Sequence, residues 1–149
     1  MVLDSGELGM IVRPQKNSDV TIWLHDQAAR GAYCCLPEIV DFELRRELLF
    51  QDFADSLQRL DQLHDALLYL PVDTATLRTA AQLWAESMRA ARPVAHPKEL
   101  NVDVILAAQA RRVHLQLRVP ADSVAAVVAT DNVGHLGRFV TAKRWDEIQ

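Results

Sequence analysis

The sequence predicts an α/β fold of three layers, with a central, mostly parallel sheet of about five strands between helices. Three observations lead there. Short apolar segments of strand character alternate with helical periodicity from one end of the chain to the other. The most strand-like segment, Val124 to Thr130, is apolar on both faces, as a central parallel strand must be. Half of the 149 residues are hydrophobic, 24% are charged and only five are glycine. That composition suits one packed, helix-rich domain over residues 1–149 and excludes a disordered chain.

Each element has its own signal. Val2-Leu3 is a short strand, and Asp4-Ser5-Gly6 turns into a helix through Leu8, Met10, Ile11 and Val12, closed by Pro14. Asn17 to Arg30 is a second helix, capped by Ser18 and stopped by Gly31, with Val20, Trp23, Leu24 and Ala28 on one face. Ala32 to Leu36 is the second strand. Pro37 then occupies the first turn of a helix reaching about Phe50, with Val40, Leu44 and Leu48 repeating every four residues. Phe53, Leu57, Leu60, His64 and Leu67 carry the next helix, which pairs with the preceding one as a hairpin.

Leu68 to Val72 is the third strand. Asp73 caps a helix in which Leu77, Ala81, Trp84, Met88 and Ala91 form an amphipathic stripe. Pro93 to Lys98, with His96, reads as a loop, and Asn101 caps a helix from Val102 through at least Ala110. Val113 to Val119 alternates as a strand would, yet also continues the helix; it reads as helix to about Gln116. Pro120 to Ser123 is a turn before the apolar strand. Phe139, Val140 and Ala142 make a short last strand, followed by a polar tail with Trp145 and Ile148.

The net charge of −4 excludes a protein that holds nucleic acid by bulk positive charge; any such contact needs a local basic patch or a metal ion. Adjacent Cys34 and Cys35 are poorly placed to bridge each other and lack zinc-site spacing, so they read as buried strand residues of a reducing compartment. The N-terminus lacks the basic start of a signal peptide, and no apolar run approaches the ~18 residues of a membrane span. A soluble, cytoplasmic protein is expected. There is no Gly-rich phosphate loop, no Ser-His-Asp order and no nucleophile elbow.

The chemistry lies in acids placed where strands stop. Asp4 follows the first strand, Glu43 sits in the helix after the second, Asp103 opens a helix and Asp131 follows the apolar strand. Ligands of parallel α/β sheets bind outside the carboxyl ends of the strands, so four segments are placed to deliver one carboxylate each to a single crevice. Carboxylates gathered in this way repel, and Mg²⁺ or Mn²⁺ is the hard cation that oxygen ligands favour. Each acid also has a purely structural reading. Asp4 and Glu7 have the spacing of a capping box, Glu43 is placed to pair with Arg46, Asp103 suits the dipole of a first helical turn, and Asp131 suits a turn.

Four segments carry a family resemblance: Val2-Leu3-Asp4-Ser5-Gly6, Pro37-Glu38-Ile39-Val40-Asp41-Phe42-Glu43-Leu44-Arg45-Arg46, Asp103-Val104-Ile105-Leu106-Ala107-Ala108 and Ala129-Thr130-Asp131-Asn132-Val133. In this order they resemble the PIN domains, metal-dependent nucleases, and among them the small bacterial VapC-like toxins. The resemblance implies an acidic triad of Asp4, Glu43 and Asp103. At the fourth position Asp131 and Asn132 follow Thr130, while His135 and Leu136 stand where many members have Asp-Phe, so Asp131, Asn132 or His135 completes the site. It further implies a Mg²⁺- or Mn²⁺-dependent ribonuclease, the toxin of a toxin–antitoxin pair, with RNA as substrate and an antitoxin protein as partner. A PIN-like module that has lost hydrolysis and binds a protein is the alternative, and a DNA-directed nuclease is a third reading, because carboxylates and their metal engage phosphate and do not read the sugar. Arg13, Lys16, Arg45, Arg46, Lys98, Arg111 and Arg112 are the cations available to approach a phosphate backbone. Trp23, Phe50, Phe53 and Trp84 exceed the needs of one small core and point to a homodimer, which the resemblance also implies.

Overall fold

The strand Val2–Leu3 (β1) is the centre of the fold. On one side of it lie Cys35–Pro37 (β2) and Leu68–Leu70 (β3), and on the other Val128–Ala129 (β4) and Ala142–Lys143 (β5). The sheet order is β3-β2-β1-β4-β5 with all four pairings parallel, Val2 standing opposite Cys35 on one side and Val128 on the other. The computed structural model describes residues 1–13, 15–90 and 97–149, without the side chains of 97–99. The expected places of Pro14, Ala91 and the Pro93–His96 loop, and the Lys98 side chain, lie outside the described residues.

The middle strands are apolar on both faces because helices cover both. Val2, Leu3, Cys35, Leu36, Val128 and Ala129 are all fully buried. Burial, joined by Cys34 and opposed by the N-terminal amine, pushes the Cys35 thiol up to about 11, which makes it a core residue and not a nucleophile. The helices are α1 (Ser5–Ile11), α2 (Ser18–Ala29), α3 (Glu38–Phe50), α4 (Ala54–Ala66), α5 (Thr74–Arg89), α6 (Pro97–Arg111), α7 (Val113–Leu117) and α8 (Val133–Leu136). α3 and α4 form the expected hairpin, turned through Asp52 in the left-handed region at φ 54°. Among the described residues, no helix is long and apolar enough to cross a membrane.

Several boundaries differ from expectation, each for a physical reason. Asn17, not Ser18, precedes the first turn of α2, and the Ser18 hydroxyl turns to Asp19. Pro37 ends β2 with extended backbone and leads into α3 rather than standing in its first turn. β4 is only two residues long because its neighbour β1 offers only two, so Val124 to Val127 run beside the sheet without being strand. α6 begins at Pro97, where a proline without an N–H fits the first turn. Asn101 is therefore inside the helix and caps nothing, and Asp103 is its seventh residue, beyond the first-turn dipole.

The stripe on α5 is displaced by one residue. Thr76, Ala80, Leu83 and Ser87 are buried, whereas Leu77, Trp84 and Met88 are exposed. α5 lies on α6 through Ala80 and Leu83 against Leu100, Val104, Ala107 and Ala108, and small side chains let the two helices approach. Trp23 likewise belongs to the core. It is 8% exposed, meets Trp145 edge-on at 5.8 Å and donates its indole N–H to the Ile148 carbonyl. It is therefore removed from any interface, which leaves Phe50, Phe53 and Trp84 of the four aromatics proposed for one.

Candidate active site

Asp4, Glu43, Asp103 and Asp131 line one cleft of about 310 Å³, together with Glu7, Thr130, Asn132 and His135. The sheet topology brings them together. The Asp4 amide bonds the Ala129 carbonyl at 3.1 Å, continuing the β1–β4 pairing one residue past β1. Its side chain therefore emerges at the carboxyl edge of the sheet, beside the end of β4. α3 and α6 each bring their acid to the same edge.

Asp4 is held at both oxygens. Oδ1 accepts from the Ser5 amide at 2.7 Å, and Oδ2 accepts from the Thr130 hydroxyl at 2.6 Å. The Thr130 hydroxyl in turn accepts from the Asn132 amide at 2.9 Å. This chain fixes the first carboxylate and the loop after β4 relative to each other. Glu43 lies 3.8 Å from Arg46, a loose ion pair consistent with its helix-surface reading, while also lining the cleft. Asp103 is largely shielded, with its side chain 14% exposed, and its Oδ2 lies 3.9 Å from His135 Nδ1. That nitrogen is 3.2 Å from the Asn132 side-chain amide. Asp131 is the outlier. Its side chain is 60% exposed and lies 3.9 Å from Arg144.

The Asp4–Glu7 capping box does not form. Asp4 caps α1 through the Ser5 amide, and its own amide is engaged by Ala129. Glu7 is instead 0% exposed, and neither of its carboxylate oxygens has a hydrogen-bond partner. Burial drives its carboxyl up from 4.5 to about 8, with Asp4 and Asp131 adding to the rise and its own backbone amide and Arg144 opposing it. Sequence reasoning placed Glu7 in a cap; its position next to Leu8 on the buried side of α1 was the signal for another role.

Most of the expected cations are committed elsewhere. Arg45 bridges Asp41 at 2.9 Å and Asp61 at 2.8 Å, and Tyr69 also donates to Asp41 at 3.2 Å. Arg111 donates to the Phe139 carbonyl and Arg112 pairs with Asp73. Arg13 stacks on Phe53 and, with Lys16 and Arg59, lines a larger groove of about 520 Å³ away from the acids. That groove mixes its cations with Asp52 and Asp55, and Arg59 is spent on the Val12 carbonyl. Among the described residues, two cations stand beside the acidic cleft: Arg46 next to Glu43, and Arg144, not singled out in the sequence, which lies 3.9 Å from Asp131 and bonds Asp146 at 3.2 Å.

Among the described residues, no three His, Cys, Asp or Glu side chains converge closely enough to chelate an ion as they stand. The donor set nevertheless fits a hard divalent cation, being made of carboxylate oxygens, and Glu7 adds a buried carboxyl whose two oxygens have no hydrogen-bond partner.

No protein-family model and no curated protein matches the chain. Solved structures do. A chain of VapBC2 from Rickettsia felis, bound to a DNA fragment from their promoter, superposes with a TM-score of 0.72 at 16% identity, covering 97% of this chain and 98% of that one. VapBC-1 from nontypeable Haemophilus influenzae gives 0.66 at 16% identity, with 98% of both chains covered. FitAcB from Neisseria gonorrhoeae gives 0.65 at 19% identity, with 99% of both covered. The order of the four motifs and these matches over nearly the full length agree: the chain has a PIN-like fold, shared with chains of the VapBC and FitAcB complexes.

Proposed function

We propose that the chain is a Mg²⁺- or Mn²⁺-dependent endoribonuclease of the cytoplasm, and the toxin of a toxin–antitoxin pair. One observation carries the reading. Carboxylates from four segments far apart in sequence line a single cleft at the carboxyl ends of parallel strands, where such sheets bind ligands. That full-length structural matches come from VapBC and FitAcB complexes supports a protein partner.

Asp4 and Asp103 would hold the ion directly, Glu43 would hold it through water or orient the attacking water, and Asp131 would complete the site. A bound divalent ion supplies a water nucleophilic at neutral pH and a charge sink for the phosphate oxygens. The chain's own residues do the positioning. Ser5 and Thr130 hold Asp4 in one orientation, and the Thr130–Asn132 contact fixes the loop that carries Asp131. Arg144 beside Asp131 and Arg46 beside Glu43 are the cations that would meet an approaching phosphate, Arg144 by exchanging its contact with Asp146.

The test is cleavage of RNA and of DNA with Mn²⁺ and with EDTA, alongside melting curves of the parent and Asp103→Asn. RNA cleavage lost with EDTA, and a Mn²⁺ shift in melting temperature larger for the parent than for the variant, are expected, because binding to the folded state stabilises by mass action. Equal shifts would remove Asp103 from the ion site. The exposure of Asp131 and its pairing with Arg144 favour a second reading, a PIN-like protein-binding module without hydrolysis. That reading predicts no cleavage under any of these conditions.

We also propose a homodimer. Phe50 is 89% exposed at the tip of the α3–α4 hairpin, with Phe53 beside it, and Trp84 is exposed on α5. Sedimentation at micromolar concentration should give twice the 16.7 kDa chain mass. Phe50→Ser should shift the protein to monomer; a parent that sediments as a monomer would end the proposal.

A further inference from the structure

We infer that Glu7 is a ligand of the divalent ion in this cleft, a carboxylate additional to the four read from the sequence. The inference rests on the metal-dependent reading and deepens it. Glu7 is the third residue of α1, lies between the cleft and the core, and is fully buried. An apolar residue there would simply join Leu8 and Ile11 in the core.

Neither protonation state of Glu7 is satisfied by the protein. As a carboxylate it has at most its own backbone amide nearby, outside hydrogen-bond geometry, and as a carboxylic acid its O–H lacks an acceptor, since neither oxygen has a hydrogen-bond partner. Buried polar groups are almost always paired, and an exception on the wall of a cleft points to a species that binds there. The occupant is positive, because the cleft's other acids are Asp4, Glu43, Asp103 and Asp131, against a single basic lining residue among the described ones, His135. It must also accept hard oxygen donors, which selects a divalent cation of the Mg²⁺ or Mn²⁺ type.

The competing explanation is an ordinary buried carboxyl hydrated by a trapped water. Glu7→Gln separates the two, since the amide keeps the shape and its bonds to water but gives up the anionic oxygen. Mn²⁺ binding is followed by loss of the free aqueous ion's electron paramagnetic resonance signal, with no substrate present. If Glu7 is a ligand, Glu7→Gln and Glu7→Leu bind Mn²⁺ more weakly by about tenfold or more. In addition, metal-free Glu7→Leu melts above the metal-free parent, and Mn²⁺ raises its melting temperature less. Either variant alone is sufficient should the other fail to fold. Unchanged Mn²⁺ affinity in a folded variant overturns the inference and leaves the metal-dependent reading intact. A parent that does not bind Mn²⁺ overturns both.

Discussion

Asp4→Asn should lower metal-dependent cleavage by on the order of 10²–10³-fold, the scale for removing one preorganised electrostatic contact to the reacting group. The substitution is nearly isosteric, and the surroundings accept it. The Asn oxygen still accepts from the Ser5 amide, but the Thr130 hydroxyl, which donates to Asp4, must turn its hydrogen away to accept from the Asn NH₂, so one bond survives and the other reverses. Asn is also as good an N-cap as Asp, so α1 keeps its start. The charge is lost, and with it the repulsion Asp4 exerts on the ionised form of Glu7, while the Thr130 hydroxyl gives up its acceptor. Urea unfolding without metal should therefore show the variant within about 1 kcal/mol of the parent, the scale of one hydrogen bond. Asp131→Asn makes the contrast: exposed and beside Arg144, it should cost about tenfold, the low end for an outer contact to a metal site. Equal losses in the two variants, or a loss of stability matching the loss of activity in Asp4→Asn, would contradict this ranking.

The second large effect is on stability against pH in the absence of metal. Glu7 ionises near 4.5 when exposed and near about 8 in the fold. Between those values the folded chain holds a proton that the unfolded chain has released, so stability falls as pH rises through the window and levels off above about 8. The whole shift corresponds to on the order of 5 kcal/mol. Asp4 and Asp131 push in the same direction and Arg144 opposes them. Urea midpoints measured from pH 5 to pH 8 should therefore decline in the parent. The difference between the parent and Glu7→Leu isolates the Glu7 contribution and should grow with pH. A difference that stays constant would show that Glu7 does not change its charge on folding.

Much of the fold was legible because it follows from local chemistry. The strand Val2–Leu3 is apolar on both faces, Asp73 does cap α5 through the Thr76 amide at 2.6 Å, and Gly31 takes the left-handed φ of 87° that ends α2. The fivefold parallel sheet followed from the alternation of such pieces. What escaped was decided between elements. On α5 the large apolar side chains Leu77, Trp84 and Met88 dominate the periodic pattern, yet the contact with α6 selects the smaller Ala80 side of the helix. An Asp-x-x-Glu spacing reads identically whether the Glu bends back to a cap or turns inward. Only the closure of the cleft over Glu7 distinguishes the two. Arg144 was invisible for the same reason, since its relation to Asp131 exists only once β5 lies beside β4.

The central position of β1 has a temporal consequence. Its two flanking partners are β2, some thirty residues on, and β4, near the other end of the chain; Asp4 meets Thr130 across a separation of 126 residues. Contacts of such long sequence separation form late, because closing the intervening chain costs entropy before any bond is made. During synthesis from the N-terminus, β1 can pair with β2 and α1 can cover it long before β4 exists. The acidic crevice is therefore complete only after the C-terminal strands have been made and have joined the free edge of β1.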